Sequence, residues 1–273
     1  MSGVLTRTAG LWIAVALASL GPGTAASAAD LSGTLGGTSP AVAEEQWPEL
    51  FHKANEAYEA GDYETAKSLY GQLIASGLEN GDLWYNLGNT ELRSGRHGQA
   101  IASYLRAASY MPRDGDVQAN LARARESAKD ALAPPQAPVV LRTVLFWYYG
   151  SSLTELVAVA LIASFLFWCA CVLRLRLDSE ALRWAAAACA IVFAIAGGSA
   201  AARALFPRQV AVVVTPAAAV RSATSDKSVV LFELHEGAEA ALEGREEGWV
   251  KIALPEEKRG WIDARQVEVG AAI

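Results

Sequence analysis

WYNLGNTELRSGRHGQAIASYLRAASYMP, residues 84–112, is the stretch on which the reading of this chain turns. Apolar and small residues recur through it at helical spacing, as Trp84, Leu87 and Gly88 and again as Ala100, Tyr104 and Ala107. Gly95 interrupts the pattern where a first helix ends, and Pro112 stands where a second must stop. Gly88 and Ala100 are small, as two closely crossing helices require, and Trp84, Leu87 and Tyr104 fill the space around the crossing. The pattern is duplicated upstream: Gly61, Ala66 and Tyr70 recur 34 positions later as Gly95, Ala100 and Tyr104.

Spacing and repeat length together resemble the tetratricopeptide repeat (TPR). The first copy departs from it at its start, with Leu50 for the tryptophan and Ala54 for the glycine. Val117–Leu132 reads as a further amphipathic helix, with Val117, Leu121, Ala124 and Ala128 on one face, capping a two-repeat solenoid over residues 44–133. The resemblance implies a concave groove that takes an extended peptide or a partner helix, lined by the first helix of each unit. The groove positions are His52, Asn55, Tyr58 and Glu59, then Tyr85, Asn86, Asn89 and Arg93, then Asn120 and Arg123. A carboxamide suits such a groove because it offers a peptide backbone both a donor and an acceptor. The competing reading is a merely solvated face. Phe51, Asp116 and Asn120 occupy positions where capture of a C-terminal carboxylate would need cations.

Outward from the repeats, residues 134–150 form a linker whose Pro-Pro-Gln-Ala-Pro opening is a stiff spacer. It ends in the aromatic cluster Phe146-Trp147-Tyr148-Tyr149, which suits a membrane interface. Two apolar segments follow, expected as transmembrane helices over 151–174 and 183–205, joined by a loop at 175–182. The core of the first, Leu153–Leu173, reaches about 31 Å as a helix, enough to cross hydrocarbon. Ala, Gly197, Gly198 and Ser199 in the second permit close packing. Cys169, Cys171 and Cys189 lie inside these runs and read as small apolar residues. Glu155 reads as interfacial.

Beyond Val210 the sequence turns to short β-branched runs and polar turns. Strands are expected near Ala211–Thr215, Ala219–Arg221, Val229–Leu234, Ala240–Leu242, Trp249–Leu254 and Gly260–Asp263. Leu234-His235-Glu236-Gly237, Gly248-Trp249-Val250-Lys251-Ile252 and Gly260-Trp261-Ile262 resemble a bacterial SH3 domain, placed at 209–270. That family contacts cell-wall peptides or proteins. Trp249 and Trp261 are the ligand candidates, and a place in the barrel core is the other reading of each.

Residues 1–29 read as a secretory signal, with Arg7, an apolar core Ala9–Leu20 and the small residues Ala26-Ser27-Ala28. An uncleaved anchor is the alternative. Residues 30–43 are expected to be a disordered leader. Arginines flank the hairpin three at each end, Arg174, Arg176 and Arg183 against Arg142, Arg203 and Arg208, so segment order decides orientation. An exported helical domain and two spans leave both soluble domains outside the cytoplasm, on a bacterial inner membrane.

The net charge is −6, but its distribution says more. Residues 44–133 carry 9 basic against 14 acidic side chains and 209–273 carry 7 against 11, whereas 134–208 carry 6 against 3. Two acidic soluble regions repel phosphate backbones, so nucleic acid is not an expected partner. Catalysis is not expected either. His52, His97 and His235 lack neighbours for metal binding or nucleophile activation, no P-loop or G-x-S-x-G is present, and no cofactor is implied. Asp114-Gly115-Asp116 reads as a helix start.

In order along the chain, these modules resemble the BatE family of the Bat (aerotolerance) group of bacterial membrane proteins. The resemblance implies a multidomain fold: an all-α TPR solenoid, a transmembrane helical hairpin and a small all-β SH3-like barrel. It further implies a non-enzymatic scaffold in an envelope complex, with von Willebrand A domain membrane proteins as partners and, indirectly, a MoxR-type ATPase. A peptidoglycan-binding sensor, with the TPR domain as spacer, is the alternative.

Overall fold

A computed structural model describes residues 44–130, 132, 137–254 and 258–271. The expected signal and leader, most of the proline-rich spacer and the turn at 255–257 lie outside them.

Five helices come first: α1 (Trp47–Glu59), α2 (Tyr63–Ala75), α3 (Gly81–Arg93), α4 (His97–Tyr110) and α5 (Gly115–Glu126). Short side chains start several of them. Asp62 accepts from Thr65 N–H, Asn80 from Leu83 N–H, and Asp114 from the N–H groups of Asp116 and Val117. Gly61 and Gly95 hold φ of +80° and +75° at the two hairpin turns, where only glycine is unstrained. At the second crossing a Cβ on Gly88 would lie 2.8 Å from the Tyr104 ring, which explains the small residue there. Helix α5 stops at Glu126, short of the expected Leu132. The chain turns there, and the Asp130 carboxylate reaches His235, accepting from its N–H at 2.6 Å and meeting Nδ1 at 2.9 Å.

Next come α6 (Val139–Val144), α7 (Phe146–Gly150), α8 (Leu153–Arg174) and α9 (Glu180–Leu205). Ser152 and Glu155 form a capping box at the start of α8. Helices α8 and α9 pack along each other as a hairpin, and both are long and apolar enough to cross a membrane. The loop between them is shorter than expected, residues 175–179, because α9 begins at Glu180 and takes in Arg183. Leu161, Phe165, Trp168, Val172, Trp184 and Ile191 are each more than half exposed, while the buried positions are mostly alanines.

The remaining strands are β1 (Gln209–Val213), β2 (Ala217–Arg221), β3 (Val230–His235), β4 (Glu239–Glu246), β5 (Trp249–Ala253), β6 (Arg259–Asp263) and β7 (Val267–Ala271). They form one antiparallel sheet in the order β3-β2-β6-β5-β4-β1-β7. The seventh strand was not expected. It pairs with β1, Val210 opposite Gly270 and Val212 opposite Glu268. Ala211, Val213, Val220, Leu234, Val250, Ile252, Ile262 and Val267 bury one shared face.

The sheet is not a detached module. Helix α4 lies on β1 and β7, and Val210 and Val212 share a core with Ile101, Tyr104, Leu105, Leu121 and Ala124. Polar contacts tie the seam. Arg125 clasps Glu239 through Nε at 2.6 Å and Nη2 at 2.8 Å, Gly98 N–H donates to Glu236 Oε1 at 3.0 Å, and Arg106 Nε donates to the Val269 carbonyl at 2.8 Å.

Candidate functional site

Helices α1, α3 and α5 stand side by side, and their facing side chains form a ladder of amides. Asn55 Oδ1 accepts from the Tyr70 hydroxyl at 2.6 Å and from Asn86 Nδ2 at 3.4 Å. The motif repeats one unit on. Asn89 Oδ1 accepts from the Tyr104 hydroxyl at 2.7 Å and from Asn120 Nδ2 at 2.9 Å, and Asn120 Nδ2 also reaches the Tyr85 hydroxyl at 3.1 Å. Burial pushes the Tyr70 phenol up to about 12 and raises that of Tyr104, so both stay protonated donors.

Each rung therefore spends part of its hydrogen-bonding capacity inside the protein and leaves a defined remainder. Among the described residues, Asn55 Nδ2 and Asn89 Nδ2 have no acceptor, and Asn86 Oδ1 and Asn120 Oδ1 have no donor. In order along the ladder these are a donor at Asn55, an acceptor at Asn86 with one further N–H beside it, a donor at Asn89 and an acceptor at Asn120, a sequence that can pair with the N–H and C=O groups of an extended peptide. Tyrosine hydroxyls fix the amides of Asn55, Asn89 and Asn120, and Asn55 in turn holds that of Asn86, so little side-chain entropy remains to be lost on binding.

Of the residues expected to line a groove, Asn55, Tyr85, Asn86, Asn89 and Asn120 are brought together directly. Arg93 and Arg123 are exposed and make no ion pair among the described residues. Tyr58 is half-buried against Tyr63, ring centroids 5.7 Å apart, and His52 pairs with Glu56. Tyr104, read from sequence as a packing residue, and its repeat counterpart Tyr70 are the ladder's orienting groups. The signal for them was present: Asn55–Tyr70 and Asn89–Tyr104 are both 15 residues apart.

The tryptophans Trp249 and Trp261 are half-buried and lie outside the sheet's core cluster. Val250, Ile252 and Ile262 point inward, so the tryptophans share the outward face of the β5–β6 ladder as diagonal neighbours, Trp249 opposite Asp263 and Trp261 opposite Lys251. Of the other motif residues singled out in this region, His235, Glu236 and Gly237 hold the sheet to the helices instead.

Helix α3 also carries a buried ionisable side chain, Glu91. Glu91 accepts from the Ser103 hydroxyl at 2.7 Å, and Glu268 and Arg106 approach it, with Lys67 and Arg96 further contributors. Arg106 stacks 4.3 Å from the Trp84 ring centroid. Burial, with repulsion from Glu268, pushes the Glu91 carboxyl up to about 8. The folded protein thus holds a proton that the unfolded chain releases near the ordinary carboxylate value, about 4.3. Stability must fall as pH rises between those values, with a slope bounded for one proton at about 1.4 kcal/mol per pH unit. Thermal unfolding of the purified protein is expected to show a lower Tm at pH 8.5 than at pH 5.5. Glu91→Gln, which cannot ionise, is expected to flatten that difference.

The geometry of α1 to α4 has a known counterpart. A tetratricopeptide-repeat family model matches residues 51–116. The match ends where α5 begins. No curated protein matches the chain. Tetratricopeptide repeats are a non-catalytic protein-interaction fold, and these repeats mark the helical region as a protein-interaction scaffold with protein partners.

Proposed function

We propose that this chain is a non-enzymatic, membrane-anchored adaptor whose repeat groove binds an extended segment of a protein partner. The observation that carries this reading is the amide ladder, whose unspent donors and acceptors can pair with those of a peptide backbone. Two exposed arginines beside it, Arg93 and Arg123, add a preference for acidic side chains in the bound segment.

Membrane anchoring through α8 and α9 is supported by their length and by the large apolar side chains they turn outward, which water would penalise and hydrocarbon would not. The core shared by α4, β1 and β7 supports a common compartment for helices and sheet, since parts packed together cannot lie on opposite sides of a bilayer. The extracytoplasmic side follows from the expected export signal and paired spans, the SH3 identity of the sheet from its own motifs, and a bacterial inner membrane with von Willebrand A domain proteins and a MoxR-type ATPase in a Bat-type complex from the family resemblance.

Co-purification from detergent tests the groove. Asn86→Ala is the informative substitution, because Asn86 only donates to Asn55 and leaves both tyrosine hydroxyls satisfied. Asn86→Ala with Arg93→Glu is expected to cut partner recovery about tenfold, the loss of one neutral hydrogen bond and one exposed charge interaction. Unchanged recovery counts against groove binding. Asn89→Ala would confound the result by stranding the Tyr104 hydroxyl.

A second reading, peptidoglycan binding by an SH3-like barrel, is favoured by one feature: Trp249 and Trp261 lie side by side on an outward face. Because the sheet shares a core with α4, the full chain is the right reagent. Loss of sedimentation with purified sacculi in Trp249→Ala plus Trp261→Ala would support this reading, and sedimentation equal to the parent would remove it.

A further inference from the structure

Where the hairpin meets the soluble part, α7 and α9 leave a cleft of about 330 Å³. Leu145, Trp147 and Tyr148 form one wall and Gly198, Ser199 and Ala202 the other. The second wall is low because its residues are small. A Cβ on Gly198 would find no atom within 4 Å. Around the cleft the surface is apolar and uncovered, with Val139, Val140, Val144 and Phe146 at least 60% exposed.

The rim is cationic. The Arg203 guanidinium lies 4.8 Å from the Tyr148 ring centroid and donates to the Ser151 carbonyl at 2.6 Å. Arg208 lies 5.8 Å from the Tyr149 centroid and donates to its hydroxyl at 3.3 Å. Neither pairs with a carboxylate among the described residues. The nearby Glu155 is engaged by Arg113 and the Ser152 N–H. An uncompensated pair of cations above an apolar cleft calls for one molecule with an anion at one end and hydrocarbon at the other.

The geometry points to a specific site for an anionic phospholipid, an acyl chain lying in the α7–α9 cleft and the headgroup phosphate between Arg203 and Arg208. This rests on α8 and α9 being membrane spans. Free phosphate would satisfy the arginines but leave the cleft unfilled, so the lipid is the occupant to which the site commits. The tyrosine rings beneath the arginines hold the guanidinium planes at the headgroup level, where aromatic residues partition.

Native mass spectrometry of the full chain, released from nanodiscs of mixed phosphatidylglycerol and phosphatidylcholine, tests it. The parent is expected to retain phosphatidylglycerol in preference to phosphatidylcholine. Arg203→Gln is expected to reduce that preference about fivefold, the contribution of one cation near a lipid surface. Gly198→Leu, whose Cβ meets no atom within 4 Å, puts a branched side chain into the cleft and is expected to abolish retention of both lipids. Retention and preference like the parent's in both variants would overturn the site. Displacement of the lipid by inorganic phosphate would overturn it in favour of a free-anion site. If the chain is instead recovered from cells without detergent, the membrane reading itself fails and takes the site with it, an outcome distinct from the other two.

Discussion

Arg125→Ala is expected to destabilise the protein by about 3 kcal/mol, because it strands the Glu239 carboxylate in the seam between helices and sheet. Glu239 is 5% exposed and holds Arg125 through two near-parallel hydrogen bonds, the geometry in which guanidinium and carboxylate bind most strongly. Removing the cation leaves a buried charge with nothing to replace water. Because Arg125 itself is partly exposed, the loss falls at the lower end of the range for broken buried pairs. Thermal unfolding followed by circular dichroism should show Tm lower by about 10 °C for a soluble part of this size. The double variant Arg125→Met plus Glu239→Leu is expected to recover most of the loss, since a well-packed apolar pair replaces a buried ion pair at little cost. A single variant as stable as the parent would show that the seam does not hold the sheet in solution.

The second large effect is expected at Gly98. A Cβ there would sit 2.3 Å from the Val213 carbonyl oxygen and 3.0 Å from Val214 Cα, both backbone atoms that cannot rotate away. Gly98→Val must therefore lift the start of α4 from the end of β1, and it also disturbs the hydrogen bond from Gly98 N–H to Glu236. Overpacking of this kind costs about 1–3 kcal/mol. Its location is more diagnostic than its size. Hydrogen exchange is expected to speed up in β1, β7 and α4, while amides of α1 and α2 keep their protection. Gly71→Ala, in α2 with nothing within 4 Å of the added carbon, is the control and is expected to leave exchange unchanged or slower. Uniform loss of protection along the chain would contradict the local mechanism.

The repeat helices were legible because their small and aromatic residues carry a helical period and a 34-residue offset, both local properties. The hairpin was legible for the same reason, each helix carrying a long apolar run with its charges near the ends. The seam was harder to read because it joins residues more than a hundred positions apart, such as Asp130 with His235 and Gly98 with Glu236. One trace of it was present. Val210, Ala211, Val212 and Val213 are all apolar and all buried, where a strand with one wet face would alternate. Val210 and Val212 face α4 while Ala211 and Val213 face the sheet's own core. Strand β7 escaped notice because Glu268 and Gly270 break its apolar pattern. Gly270 is needed where it is: a Cβ there would lie 2.8 Å from Leu105. On the face shared by α1, α3 and α5, the asparagine row was visible from composition and offset, but the share of each amide consumed by Tyr70, Tyr104 and Tyr85 depends on how neighbouring helices pack.

The soluble core is built from two stretches of chain with α8 and α9 between them. Ile101 and Leu105 therefore remain uncovered during synthesis until β1 and β7, which shelter them, have been made. Completion of the shared core thus waits on passage of the whole hairpin, and a chain that stalls there would leave a sticky helical half-product, a substrate for chaperones and proteases.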